Sequence, residues 1–234
     1  MSNYTPSRKI SKIETTQDTI SGRGGLALFS LYLTQIGVLR ILSDCFPKIR
    51  KNKKGQPAWQ LFKQVLCFFF DGTSRHLTQF EHIKKDSGYA AVIEETPDKL
   101  VSSHVIKRFF KCFPWVAGKA FRMLLHRLFV RRLYVEQPTE IVLTIDTMVM
   151  NNDEASNRHG SQPTYKKVKG FQPLQMIWNN RIIDAIFRGG KKHSNYGTAV
   201  VDMITKIVTL SRCSYRSDVT IIIRMDSGFY SDLS

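Results

Sequence analysis

The feature that most constrains the fold of this chain is a change in the spacing of its apolar residues near Pro138. Before that point, apolar residues recur at helical intervals, which is the pattern of amphipathic helices. After it, they form short uninterrupted runs rich in β-branched residues, which is the pattern of buried strands. The sequence therefore predicts an α/β protein with a helical N-terminal region and a sheet-containing C-terminal region.

A series of helices is predicted in the first region. They are expected at Gly24 to Phe46, from Pro57 to about Phe70, from Ser102 or Ser103 to Phe113, and after Pro114. The opening residues are polar and lack a sustained apolar period, which indicates a loosely ordered arm. We accordingly divide the chain into a flexible arm at 1–22, a helical region at 23–136 and a sheet-containing domain at 137–234.

The C-terminal region is predicted to contain strands and one helix in the order βββαβ. The strands are expected at Ile141 to Met150, Phe171 to Trp178, Arg181 to Phe187 and Val219 to Met225, with the helix at Gly197 to Leu210. Asn179 and Asn180 tolerate the positive φ angles of a tight hairpin turn. Because a helix between two strands implies a right-handed crossover, the last strand is expected to return in parallel beside an earlier one.

The charge of the chain indicates a polyanionic partner. Its 35 Lys and Arg residues exceed its 19 Asp and Glu residues and give a net charge of +16, with a pI near 9.9. Such an excess attracts nucleic acid and makes its binding salt-dependent. The longest apolar stretches, such as Cys67 to Phe70, are far shorter than the roughly 20 residues that span a bilayer, and the opening lacks a secretory signal. We therefore expect a cytoplasmic protein without a membrane partner.

Clusters of cations are the candidate DNA contacts. They lie in the run before Gly55, in the acid-free stretch from Lys107 to Arg132, around Tyr165, and in the segment after the third strand. The candidates are Lys48, Arg50, Lys51, Lys53, Lys54, Arg127, Arg131, Arg132, Lys166, Lys167, Lys169, Arg188, Lys191, Lys192 and His193. A solvated helix face or surface loop is the competing interpretation of each cluster.

Two aspartates stand at otherwise apolar strands. Asp146 lies within the run IVLTIDTMVM, and Asp226 directly follows TIIIRM. A carboxylate in a buried strand is unfavourable unless it is hydrogen-bonded, paired or bound to metal. If the crossover places the last strand beside the first, both aspartates come to one end of the sheet and can share a divalent ion. The alternative is that either aspartate only accepts bonds from backbone amides or from an arginine.

Several motifs resemble those of the DDE transposases of bacterial insertion sequences, and more narrowly the branch called DDE domain group 1. They are IDT at Asp146, KGFQPLQM at Lys169 to Met176, RGGKKHSNYG at Arg188 to Gly197, RMDSGFY at Arg224 to Tyr230, and the Gly24-Gly25-Leu26 opening of the helical region. The resemblance spans about Ser21 to Ser234, and RMDSGFY is its most specific part.

The resemblance implies an RNase H-like catalytic core preceded by a DNA-binding helical region. Asp146 and Asp226 would be catalytic and would hold Mg²⁺, with Mn²⁺ as a substitute, for cleavage at transposon ends and strand transfer by a 3′ hydroxyl. The implied partners are double-stranded DNA, as terminal inverted repeats and target, and further copies of the chain in a synaptic complex. Association with the bacterial nucleoid follows from that substrate.

The resemblance also implies a third acid, a glutamate on a helix well downstream of Asp226. The sequence extends only to Ser234, and Asp153, Glu154 and Asp202 do not fit that position. We therefore expect a C-terminally truncated transposase with an incomplete core that is inactive alone. The alternatives are a non-catalytic DNA-binding remnant or regulator of transposition, and a basic RNA-binding protein.

Overall fold

The computed structural model describes residues 17–19, 21–47, 49, 55–114, 116–154, 160–192 and 197–229. These residues form two compact units that divide between Cys112 and Phe113. The first unit is helical and the second combines helices with a sheet, which confirms the predicted α/β class.

Helices make up the regular structure described in the first unit. They are α1 (Gly24–Gln35), α2 (Val38–Cys45), α3 (Ala58–Asp71), α4 (Phe80–Ile83), α5 (Ser87–Val92) and α6 (Ser103–Lys111), with 3₁₀ turns at Leu77–Gln79 and Pro97–Lys99. The predicted helix after Pro57 is confirmed as α3, and the one after Ser102 as α6. Leu61 and Phe68 of α3 and Ile106 of α6 are buried in the core of this unit.

The single helix predicted from Gly24 to Phe46 is wrong, because the chain breaks between α1 and α2. Gly37 at the break has a φ of 68°, a left-handed conformation that lacks a steric penalty in glycine. The two helices are bent by 58° relative to each other. Among the described residues, no single helix has the length and apolar composition needed to cross a membrane, whereas α1 and α2 meet that test as a bent pair.

The second unit is built on a four-stranded mixed sheet. Its elements are α7 (Ala117–Glu136), β1 (Glu140–Thr147), β2 (Met150–Asn151), β3 (Gln162–Pro163), β4 (Lys169–Phe171), β5 (Leu174–Trp178), β6 (Arg181–Ile186), α8 (Ala199–Ser214) and β7 (Thr220–Met225). The strand order in the main sheet is β6-β5-β1-β7, with β5 antiparallel to both β1 and β6. The main sheet therefore confirms the predicted βββαβ order.

Strand β7 pairs in parallel with β1, as the crossover through α8 predicts. Their register runs from Glu140 opposite Thr220 to Ile145 opposite Met225. The hairpin between β5 and β6 also matches the prediction, since Asn179 and Asn180 have φ angles of 47° and 59°. Two consecutive positive φ angles are the geometry of a type I′ turn, which suits the twist of paired strands.

A small second sheet in the order β2-β4-β3 was not predicted. Two predicted strands are therefore shorter than expected. The strand predicted to reach Met150 ends at Thr147, with Met150 in β2, and the strand predicted to begin at Phe171 begins at Leu174, with Phe171 in β4. Gly170 of β4 lies so close to the backbone of Met150 that a Cβ atom there would collide with its carbonyl group. This close approach within the small sheet requires glycine at position 170. The small sheet and the main sheet are separate, although their strands adjoin in sequence.

Helices α7 and α8 cover the same face of the main sheet. Phe129 and Leu133 of α7 and Met203 and Ile207 of α8 belong to one buried cluster with the apolar residues of the strands. The Phe129 ring packs edge-on against Trp178 of β5 with centroids 5.5 Å apart. Helix α7, which our sequence division placed in the helical region, therefore packs as part of the sheet unit.

Candidate active site

The two candidate aspartates lie at one edge of the main sheet. We call this edge the carboxyl rim; it is formed by Thr147, Leu174, Ile186 and Met225, where β1, β6 and β7 end and β5 begins. The last registered pair of β1 and β7 is Ile145 opposite Met225. Asp146 directly follows Ile145, and Asp226 directly follows Met225. Since neighbouring strands lie about 4.8 Å apart, the two backbones meet closely at this rim.

The alternation of side chains along β1 determines which face carries Asp146. Ile141, Leu143 and Ile145 are buried in the core, whereas Val142 and Thr144 are only half-buried and Asp146 is exposed. Successive residues of a strand point to opposite faces, so Asp146 lies on the face away from α7 and α8. In β7 the partners of the core series, Ile221 and Ile223, pack against the same core. Asp226 comes directly after β7, and by the same alternation it falls on the face opposite to Ile221 and Ile223, which is the face of Asp146.

Both aspartates are exposed, so the expectation that they are buried charges is wrong. The reason is their position: Asp146 is near the end of its strand and on the uncovered face, and Asp226 is past the end of β7. Each Oδ1 atom accepts one nearby backbone N–H at 2.7 Å, from Thr147 for Asp146 and from Gly228 for Asp226. These bonds orient both carboxylates and leave their Oδ2 atoms for another ligand.

Neither aspartate forms an ion pair with a described residue. Carboxylate oxygens are the ligands that Mg²⁺ prefers, and Mg²⁺ is usually held by one or two carboxylates with water and substrate oxygens completing its shell. The donor set of Asp146 and Asp226 therefore fits such an ion. Within the described ranges, no group of three His, Cys, Asp or Glu side chains is arranged to hold a metal.

A carboxylate that the sequence pattern did not single out is fully buried in the sheet unit. Asp184 of β6 has 0% exposure, and its two oxygens accept from Nε and Nη2 of Arg122 on α7 at 2.7 and 2.6 Å. His126 Nε2 lies 3.2 Å from Oδ2. Burial alone would raise the pKa of Asp184, but the two hydrogen bonds from Arg122 and the proximity of the His126 imidazole hold that pKa below its usual value. Its position within the apolar run Arg181 to Phe187 resembles that of Asp146 and offered the same clue.

Two further polar residues that sequence reasoning missed lie beside Asp146 on the uncovered face. Gln175 of β5 is its registered partner. Arg224 of β7 is paired with Thr144, two residues before Asp146, and is exposed. Residues in register on neighbouring strands share a face, so an amide and a guanidinium flank the carboxylates.

Exposed lysines lie on and beside the small sheet, whose strands adjoin the carboxyl rim along the chain. The small sheet begins just after β1, its strand β4 is separated from β5 by Gln172 and Pro173, and Phe171 bridges to Gly189 after β6. Lys166 and Lys167, in the turn between β3 and β4, are exposed. Lys169 in β4 and Lys191 after β6 are also exposed, and Lys192 is half-buried.

Arg188 differs from the other rim candidates because it is buried. Its Nε donates to the carbonyl oxygen of Gln172 at 3.1 Å. Burial lowers the pKa of Arg188. Its position between the end of β6 and the chain before β5 makes it a bridge within the fold, so we exclude it from the proposed DNA surface.

The remaining candidate contacts are separated from the carboxyl rim or lie outside the described residues. On α7, Arg127 and Arg131 are exposed, and Arg132 is half-buried with Nη1 3.6 Å from Glu136 Oε1. Lys48, Arg50, Lys51, Lys53, Lys54 and His193 lie outside the described residues. Their contact roles stay predictions.

A carboxylate pair on neighbouring strands, flanked by polar residues and by lysines of an adjoining sheet, is an arrangement suited to phosphodiester chemistry. The sequence matches the family described as transposase DDE domain group 1 over residues 5–233. That match covers most of the chain, which therefore belongs to this family of transposases. No curated protein and no solved structure matches the chain.

Proposed function

We propose that this chain binds DNA at transposon ends and takes part in metal-dependent strand cleavage and transfer, with Asp146 and Asp226 as metal ligands. The observation that carries the proposal is the parallel register of β1 and β7, which ends one residue before both aspartates. Family membership supplies the reaction class, because a DDE transposase is a polynucleotidyl transferase.

Asp146 and Asp226 are proposed to hold Mg²⁺, or Mn²⁺ in its place, through the oxygens that backbone amides leave open. When bound there, such an ion lowers the pKa of an attacking water or hydroxyl and stabilises the departing oxygen. The amides of Thr147 and Gly228 keep both carboxylates in place before the ion arrives. Little side-chain freedom is then lost on binding, which favours affinity.

Lys166, Lys167, Lys169 and Lys191 are proposed to contact the phosphates of DNA that lies across the carboxyl rim. Their ammonium groups neutralise backbone charge, and this contribution weakens with salt. Arg224, two residues before Asp226 and exposed, is proposed to hold a phosphate at the reacting step. Double-stranded terminal repeats and target DNA are the proposed partners, in an assembly of several copies that acts on nucleoid DNA.

The metal proposal is tested by thermal denaturation of the purified chain with and without Mg²⁺ or Mn²⁺. At an ion concentration ten times the Kd, binding stabilises the folded state by about 1.4 kcal/mol, which raises the Tm by roughly 3–6 °C for a chain of this size. We expect Asp146→Asn and Asp226→Asn each to abolish that shift. We also expect neither to lower the Tm without metal, because each relieves repulsion between two carboxylates.

Asp218→Asn is the matched control. Asp218 is exposed near the start of β7, at the opposite edge of the sheet, and pairs with Arg216 at 3.0 Å. This variant should keep the full metal response. An equal loss of response in all three variants, or an unchanged response in both rim variants, would refute the proposed site. By family resemblance strand cleavage also requires a glutamate ligand, so metal binding is the appropriate measurement for these two residues.

A further inference from the structure

The helical unit contains a cavity of about 290 Å³ beside α6. It is lined by Leu77, His104, Lys107, Arg108, Phe110 and Lys111. Positions 104, 107, 108 and 111 are three and four residues apart, so their side chains leave α6 on one side. The opposite side of the helix carries Ile106 and Phe109, which are buried in the core. The cavity thus lies between a cationic helix face and the 3₁₀ turn that begins at Leu77.

The charges of this cavity are not neutralised within the described chain. Lys107, Arg108 and Lys111 are exposed, form no ion pair with a described residue, and lie on a helix without an acid. The neighbouring carboxylate of Glu81 accepts bonds from the backbone N–H and the hydroxyl group of Ser103, at the other end of α6. Three closely spaced cations repel one another and favour an anionic ligand.

An aromatic side chain adds a second kind of contact. Phe110 lines the cavity and is 39% exposed, so part of its ring surface is open to a ligand. Aromatic rings beside cations bind single-stranded nucleic acid, because an unpaired base stacks on the ring while the phosphates meet the charges. The volume is near the lower end of small-ligand pockets, about 300–1,000 Å³, and suits a single nucleotide.

We propose that this cavity binds an unpaired nucleotide of single-stranded DNA, with its base against Phe110 and its phosphates at Lys107, Arg108 and Lys111. The proposal rests on the proposed function in taking DNA as the ligand. It adds a contact to the helical unit that requires neither metal nor the two rim aspartates. Duplex DNA, whose bases are stacked on one another, would reach the cations but not the ring.

The test is fluorescence anisotropy of a labelled oligothymidylate with the full chain in the presence of EDTA. Loss of one base stack weakens binding by about 1 kcal/mol or more, which is about fivefold; we therefore expect Phe110→Leu to weaken binding by about that factor. Lys107→Gln with Lys111→Gln should also reduce the slope of log K against log salt concentration by about 0.7 for each lost phosphate contact. Phe69→Leu is the control, because Phe69 on α3 is 63% exposed and does not line the cavity.

Equal affinities of the wild type and Phe110→Leu would overturn the proposal, as would equal weakening by Phe69→Leu. An equal loss of affinity for duplex DNA in Phe110→Leu would also overturn it, since a stacked duplex offers no base to the ring. Circular dichroism confirms that each variant is folded. Because the measurement contains no free metal, its outcome does not depend on the metal site, which the thermal shifts of Asp146→Asn and Asp226→Asn test separately.

Discussion

The buried ion pair between Arg122 and Asp184 yields a quantitative prediction for the sheet unit. Asp184 has 0% exposure while Arg122 is 30% exposed, so the carboxylate depends on its partner far more than the guanidinium does. Removing one member of a buried pair destabilises a protein by about 3–5 kcal/mol, because a charge remains without compensation. We therefore expect Arg122→Gln to lower the free energy of unfolding by about 3 kcal/mol at pH 7.

The matched controls separate burial from simple loss of charge. Arg181→Gln removes an exposed arginine whose Nη1 lies 3.0 Å from Glu136 Oε1, and such surface pairs contribute less than about 1 kcal/mol. The double variant Arg122→Met with Asp184→Leu removes both charges together, and it should lie within about 1 kcal/mol of the wild type. Urea denaturation followed by the fluorescence of Trp178, in a Trp59→Phe and Trp115→Phe background, measures the sheet unit.

The effect of Arg122→Gln should depend on pH. In the wild type the pKa of Asp184 is lowered from 3.8, so the stabilisation is complete above that value and is lost as the pH falls through the lower folded-state pKa. In Arg122→Gln burial raises the pKa of Asp184, and protonation then relieves the penalty in mild acid. The difference between the two proteins should narrow from pH 7 to pH 4. A difference below about 1 kcal/mol at pH 7, or a double variant as unstable as Arg122→Gln, would refute this account.

Two further predictions concern the rim and the hairpin. Lys166→Gln with Lys169→Gln should weaken duplex DNA binding and reduce the slope of log K against log salt concentration by about 0.9 per lost phosphate contact. Lys206→Gln on α8 should change neither the affinity nor the slope. Filter binding across a salt series measures both, and an unchanged slope in the double variant would remove these lysines from the DNA surface. Asn180→Ala should destabilise the sheet unit by about 1 kcal/mol, because φ is 59° at that position; urea denaturation is the check, and an unchanged midpoint would contradict the cause.

The elements that the sequence predicted well are those set by local patterns. The β-branched runs gave the strands of the main sheet, and the crossover rule gave the parallel pairing of β1 with β7. The turn at Asn179 and Asn180 followed from the tolerance of asparagine for positive φ. In each case the residues that specify the structure are contiguous or are joined by one helix.

The features that escaped prediction depend on contacts between segments distant in sequence or on a conformational choice at one residue. The apolar spacing from Gly24 to Phe46 continues through Gly37, so the spacing alone does not show the break between α1 and α2. The small sheet requires β2, β3 and β4 to meet across loops, and its strands are too short to show a period. The face of the main sheet that α7 and α8 cover is likewise decided by contacts between distant segments, so the strand pattern alone does not show it.

Asp146 and Asp184 show how the assembled sheet decides the role of an acid. Both interrupt apolar strands, yet Asp184 is on the face covered by α7, where Arg122 neutralises it. Asp146 is on the opposite face and, like Asp226, has no cation partner among the described residues, although the chain carries a net charge of +16. In a protein so rich in cations, two neighbouring carboxylates without a cation partner among the described residues are able to attract a positive ion from solution. The surroundings thus distinguish a structural carboxylate, Asp184, from a proposed metal ligand, Asp146, where the sequence pattern treats them alike.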